Sequence, residues 1–365
     1  MTTTLDAEFT QAVTNVTVND KKLELAIAAH TEIRDLLNAD EELRRWGISP
    51  YLIGSYGRQT ARYPGKDVDV FLRFTNLSAR HDPAKIYAAV ERVLIAEYGS
   101  KDDDSEGRVT RQARSLKIDF PDPEEPAPYG ATSFFDTSFS VDAVPAVPWQ
   151  GHWGIPNRDR KQWNKEENQR WIKTDPIQFD KNTDALSVAS WSPQVGSRNA
   201  YRPVVRLLRQ VRHTHLRTQR PGGLFVEVAA FHVWQAQLVT GSTWAELLTS
   251  TLEQVAGQFT EYEQTGLPDP VFGTPMKPEV GFGLWTAAAS YFSELAQQGR
   301  EALDADPCRA AKIWRSVLGS NERGEVLILP DGCDANGFPL SAISAVTAVG
   351  SDQPRGFASD AGNRD

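Results

Sequence analysis

Asp67 and Asp69, in the run Asp67-Val68-Asp69-Val70-Phe71-Leu72-Arg73-Phe74, are the residues whose type and spacing most directly suggest chemistry. The β-branched and aromatic content of the run predicts a strand. Alternate side chains of a strand share a face, so both carboxylates point one way while Val68 and Val70 point into the core. Two carboxylates that close repel each other unless cations compensate them, and one divalent ion or a pair supplies that charge. A lone Asp-x-Asp also fits a solvated strand edge. Two further features favour the metal. Gly54-Ser55 follows a short apolar strand, Tyr51-Leu52-Ile53, and a glycine there permits close backbone approach to a phosphate. Asp142 interrupts Phe139-Ser140-Val141-Asp142-Ala143-Val144-Pro145, a run otherwise suited to a buried strand, where a carboxylate is costly unless paired or metal-bound. Two acids from one strand and a third from a neighbour are the set that two-metal phosphoryl transfer requires.

The Gly54-Ser55, Asp67-Val68-Asp69 and Asp142 pattern resembles the polymerase-β-type nucleotidyltransferase superfamily, and within it the bacterial cyclic-oligonucleotide synthases, the CD-NTases. Gly54-Ser55-Tyr56-Gly57-Arg58-Gln59-Thr60-Ala61 is similar to their GSYxRxTA segment, Val141-Asp142-Ala143-Val144-Pro145-Ala146 to VDVVPA, and Trp171-Ile172-Lys173-Thr174-Asp175-Pro176 to WIxTNP. The resemblance spans about residues 19–234 and includes a basic position on the central helix, matched by Arg209. It implies Mg²⁺ (two ions, with Mn²⁺ as an alternative) held by Asp67, Asp69 and Asp142. It also implies nucleotide contacts from Gly54, Ser55, Arg209, Thr174, Asp175 and Tyr201, with Trp171 and Tyr201 as aromatics against a base. The reaction implied joins NTPs, ATP among them, into a cyclic di- or oligonucleotide with release of pyrophosphate, in CBASS-type anti-phage signalling. A downstream effector is reached through the diffusible product; a regulatory protein partner and a nucleic-acid activator stay open. Where many members carry Lys-Ser before a glutamate, this chain has Gly222-Gly223-Leu224-Phe225-Val226-Glu227, which shifts phosphate holding to Arg209, Ser55 or backbone N–H groups. Two other readings remain: a template-independent RNA or small-molecule nucleotidyltransferase, and a non-catalytic nucleotide or RNA sensor.

The elements that must position these residues follow from periodicity and punctuation. A helix is predicted from Asn19 to Trp46, capped by Asn19 or Asp20, and another after Asp82-Pro83 reaching Tyr98. Strands are predicted over 115–120 and 138–147, separated by a proline-rich excursion in the run PDPEEPAPYG. The polar, tryptophan-rich stretch from Trp149 to Trp171 reads as a crossover. Helices follow at about 184–191, 198–220, 225–240, 243–264, 283–299 and 307–318. The whole is an α+β, bilobed polymerase-β-like arrangement, with a mixed-sheet catalytic lobe over 1–165 and a helical lobe over 166–349 closing the nucleotide cleft. Residues 350–365 read as a disordered tail.

Composition limits the alternatives. The 365 residues are 40% hydrophobic, enough for a sizeable core, and a net charge of −9 argues against a general nucleic-acid coat while leaving room for a local basic groove. Cys308 and Cys333 cannot build a disulfide framework or a four-thiolate zinc site. No apolar run is long enough to cross a bilayer, and the first residues lack a secretory layout, so a soluble cytoplasmic globular protein is expected. Arg206, Arg209, Arg212, Arg217 and Arg220 make one helix basic. Arg209 is read as a phosphate contact and the distal arginines either as a nucleic-acid groove or as a solvated face. His213 and His215 lie on different helix faces and are not read as a metal pair. The Asp102-Asp103-Asp104 run is read as a solvated loop.

Overall fold

In the computed structural model, residues 2–104, 106–121, 138–276 and 283–340 are described. The chain opens with α1 (Asp6–Val16), an element the reading above passed over. Its Phe9, Ala12, Val13 and Val16 recur at helical spacing and pack into the core of the later helices, not of the sheet. The predicted Asn19–Trp46 helix begins as expected, with the Asn19 side chain accepting from Lys22 N, but divides into α2 (Asp20–Ala39) and α3 (Glu41–Arg45). Asp40 causes the break. Its extended backbone ends α2, and its carboxylate accepts from Leu43 N as the N-cap of α3.

β1 (Ile48–Ile53) leads through the short α4 (Gly54–Gly57) to β2 (Asp67–Phe74), its antiparallel neighbour. α5 (Pro83–Tyr98) starts on the predicted Asp82 cap and Pro83. β3 (Val109–Arg111), β4 (Leu116–Pro121) and β5 (Ser138–Trp149) complete a main sheet of order β1-β2-β5-β4-β3. The pair β2·β5 is parallel and the other pairs are antiparallel, so the sheet is mixed as predicted. One side of it carries Val68, Val70, Leu72, Val141 and Ala143 into a core closed by α2 and α5. Most of the proline-rich excursion and the whole 350–365 tail lie outside the described residues.

The expected crossover contains two strands. β6 (His152–Pro156) pairs with the end of β5, and after the short α6 (Glu167–Arg170), β7 (Trp171–Thr174) pairs with β6. α7 (Pro176–Val188) begins eight residues before the predicted start because Asp175 caps it and Pro176 occupies its first turn. α8 (Tyr201–Leu216), α9 (Gly223–Gln235), α10 (Trp244–Glu261), α11 (Leu284–Asp304) and α12 (Pro307–Leu318) form the helical lobe around Phe231, Trp234, Phe259, Phe292 and Trp314. Cys308 and Cys333 form one disulfide, with Cα atoms 5.2 Å apart, so the two cysteines make a single cross-link and no framework. Among the described residues no helix is long and apolar enough to cross a membrane.

Candidate active site

The parallel register of β2 and β5 sets Asp69 directly opposite Asp142 and Asp67 opposite Ser140, whose hydroxyl donates to Asp67 Oδ1 at 3.0 Å. Period-two alternation puts all three acids on one face of the sheet, away from the Val68 and Val141 core. They line a cleft of about 500 Å³ between sheet and helical lobe, together with Gly54, Ser55, Thr174, Asp175 and Arg209. Burial, then the charges of Asp142 and Asp67, push the Asp69 carboxyl up to about 7, against opposing pulls from Arg58 and Arg209. Burial and the Asp67 charge raise Asp142 to about 6, with Lys117 opposing. Asp142 Oδ1 is buried and has no hydrogen-bond partner. No three acidic, histidine or cysteine side chains among the described residues already converge as a ligand set. The acids share a wall, mutually repelled, with one oxygen unsatisfied. That is a donor set whose deficit is positive charge, and it fits a divalent cation.

Gly54 is required by contact as well as by conformation. Its φ is +70°, and a Cβ there would lie 1.9 Å from Asp69 Oδ2. The glycine lets the turn rest directly on the Asp69 carboxylate. Gly54→Ala is therefore expected to push Asp69 out of register with Asp142 and lower kcat on the order of 10²-fold. Steady-state turnover beside a melting curve checks it; full activity would show that the turn has slack.

A buried charge cluster behind the cleft was not predicted from the sequence, although Arg58, Thr60, Arg209 and Glu227 stand in or beside the motifs quoted above. Glu227, fully buried in α9, accepts from Arg58 Nε at 2.8 Å, Thr60 Oγ1 at 2.6 Å and Arg209 NH1 at 2.6 Å. These cations hold its carboxyl down to about 2 despite burial. Asp180 lies 3.4 Å from Arg58, yet burial raises it to about 7, because the arginine charge is spent mainly on the nearer Glu227. Arg58 also stacks over Phe179 at 4.6 Å. The cluster ties the loop after the Gly-Ser turn to α7, α8 and α9. A carboxylate within the apolar run of α9 was the signal that could have found it.

Two expected aromatics are not in the cleft. Tyr201 is fully buried against Trp234, edge to face at 5.4 Å, and Trp171 is fully buried with its indole N–H donating to Ala79 O. Neither can stack on a base; both are core residues, because the helix and strand that carry them turn those faces inward. Asp175 reaches the cleft, but its carboxylate caps α7 through Gln178 N and meets His152 Nδ1 at 2.9 Å. Arg206 donates to Gln59 O, and Arg212 to the carbonyls of Arg217, Gln219 and Pro221, so these arginines brace loops and are not a solvated face. His215 contacts Val317 O at 2.9 Å. Arg111 grips Asp102 and Asp103, which ties down the acidic loop.

Residues 1–120 match the family model described as Second Messenger Oligonucleotide or Dinucleotide Synthetase domain. A cyclic AMP-AMP-AMP synthase from an Acinetobacter strain is 25% identical over 325 residues, covering 83% of this chain and 80% of that protein. The CD-NTase CdnG of Bradyrhizobium diazoefficiens, solved with GTP, superposes with a TM-score of 0.63 at 15% identity, covering 86% of this chain and 96% of the other. The Vibrio cholerae DncV cyclic AMP-GMP synthase, solved with a linear intermediate, gives 0.62 at 12% identity, covering 90% and 99%. The chain thus shares the fold of the solved CD-NTases, and its first 120 residues, which carry the Gly54-Ser55 turn, Asp67 and Asp69, match a nucleotide synthetase domain.

Proposed function

We propose that the chain joins nucleoside triphosphates, ATP among them, into a cyclic di- or oligonucleotide second messenger for bacterial anti-phage signalling. The product reaches a downstream effector by diffusion. The observation that carries this reading is the register: Asp69 opposite Asp142 on parallel strands, with Asp67 on the same face and the Gly54-Ser55 turn seated on Asp69. The name of the Acinetobacter relative supports ATP as a substrate. Asp67, Asp69 and Asp142 would hold Mg²⁺, or Mn²⁺ in its place; when bound, such ions neutralise triphosphate charge and acidify a ribose hydroxyl. Ser55 and the first N–H groups of α9, whose N-cap Gly222 offers no side chain, would receive the triphosphate, a reading supported by their shared position with Arg209 on the cleft wall. Asp142, through its unpartnered oxygen, orients the attacking hydroxyl and accepts its proton. Attack on the α-phosphate expels pyrophosphate, and a second round closes or extends the product.

Purified protein with four labelled NTPs and Mg²⁺, without any acceptor, should yield a small phosphatase-resistant product identifiable by mass spectrometry. Label incorporated only when RNA or a small hydroxylated acceptor is supplied would replace the synthase reading with end-addition. Nucleotide binding with no pyrophosphate under any condition would make the chain a sensor.

A further inference from the structure

Beside the acid-lined cleft lies a second cavity, of about 810 Å³, which the reading above does not use. The two cavities share Ser55, Asp67, Arg209 and Gly223, so they meet where the Gly-Ser turn faces the start of α9. In a chain of net charge −9, Arg62, Lys66, Arg209, Arg212 and Arg217 line this second space against only two carboxylates, Asp67 and Glu322. Arg209 is already ion-paired with Glu227 at 2.6 Å, so the uncancelled charge lies on Arg62, Arg212 and Arg217. Arg212 donates to three backbone carbonyls, neutral acceptors. Arg62 donates to Tyr63 O and Gln210 Oε1 and has no ion-pair partner among the described residues. Burial and the charges of Arg209 and Arg212 push its guanidinium down to about 10, with Glu322 and Asp67 opposing. A half-buried arginine bonded only to neutral acceptors can still receive an anion.

We propose that this basic cavity is a pyrophosphate subsite, through which the leaving group is captured and released apart from the nucleotide product. The proposal rests on the synthase reading of the cleft. The hydroxyl oxygen forms a bond to the α-phosphorus, and the bond from that phosphorus to the bridging oxygen breaks. The electron pair stays on the bridging oxygen, giving pyrophosphate, while the hydroxyl proton passes through Asp142 to solvent. The pyrophosphate is then one wall, Ser55 and Gly223, away from a space whose arginine forks match phosphoryl oxygens. The main cleft is rimmed instead by apolar side chains such as Leu224 and Val271, which suit a base.

The test is calorimetric titration of the whole chain with inorganic pyrophosphate in metal-free buffer, which needs no turnover. Pyrophosphate should bind at least about tenfold more tightly than sulfate or AMP, since two linked phosphoryl groups engage several cations at once. Arg62→Gln should weaken it about fivefold or more, and Glu322→Gln should tighten it about twofold, by removing a like charge. The opposite signs guard against a folding defect in the first variant. In turnover assays the pyrophosphate inhibition constant should move with these variants while KM for ATP stays put. Unchanged pyrophosphate affinity in both variants, or sulfate binding as well as pyrophosphate, overturns the subsite. A KM for ATP that rises in step with the inhibition constant overturns the release role, since the cavity would then hold the donor's own tail. Tight pyrophosphate binding in a protein that makes no product from NTPs would instead sink the synthase reading and leave the cavity assignment standing.

Discussion

Asp69→Asn is expected to abolish nucleotide joining, lowering kcat on the order of 10³-fold or more, while making the metal-free protein more stable. Both effects have one cause. Asp69 faces Asp142 across parallel strands, near Asp67, and burial and these charges raise its carboxyl to about 7. Its folded-state pKa lies above its unfolded value of 3.8, so the folded protein binds the proton more tightly than the unfolded chain. The stability from that proton is fully present below pH 3.8 and is lost as pH rises through about 7. Asp142, raised to about 6, adds in the same direction. Metal-free wild type should therefore melt several degrees lower at pH 8 than at pH 5.5, and Asp69→Asn should flatten the difference and melt higher at pH 8. The neutral amide removes first the cost of burying the charge and then its repulsion by Asp142 and Asp67. Adding Mg²⁺ should raise the wild-type Tm and leave the variant nearly unmoved. A variant that melts well below wild type in metal-free buffer would mark Asp69 as a structural acid and remove the basis for the metal assignment.

Glu227→Gln is the second large effect, and it acts through stability. The fully buried carboxylate accepts from Arg58, Thr60 and Arg209, and neutralising it leaves two guanidinium groups facing an amide in the interior. Breaking a buried pair from one side costs about 3–5 kcal/mol, because the stranded charge keeps its desolvation penalty. The cost should appear as a lower urea midpoint with an unchanged slope. A paired Arg58→Met, Glu227→Leu variant should recover part of the loss, since one buried guanidinium is removed with the carboxylate, leaving Arg209 and Asp180 without that partner. The carboxyl's pKa of about 2 lies below its unfolded value of 4.5, so its contribution is present above pH 4.5 and is lost as pH falls towards 2. A Glu227→Gln midpoint equal to wild type would show that the cluster does not join the lobes.

The elements that the sequence made legible are those whose boundaries are chemical. β2 spans Asp67–Phe74 and α12 Pro307–Leu318, both as predicted, because alternation marks the first and Asp306-Pro307 with Gly319 mark the second. α1 has apolar helical spacing but no side-chain N-cap, and α7 starts eight residues before its predicted bound because Asp175 and Pro176 open a helix inside the loop-like WIKTDP stretch. The predicted helix over 198–220 shortens to α8, since Asn199 Oδ1 accepts from Tyr201 N at one end and Arg217 takes a φ of 47° at the other.

Residue types and their spacing pointed, before any coordinates, to three carboxylates and a Gly-Ser turn meeting in one place, as they do in the cleft, because charge repulsion and backbone freedom are local properties. Tertiary structure alone decided which side of each aromatic is covered, which acid each arginine meets and where the cations gather. Tyr201 lies in the core, Arg58 is matched with Glu227 across 169 positions of chain, and Arg62 and Arg217 come to line one cavity. Those pairings depend on distances closed by folding, and no local pattern encodes a distance between residues so far apart in the chain.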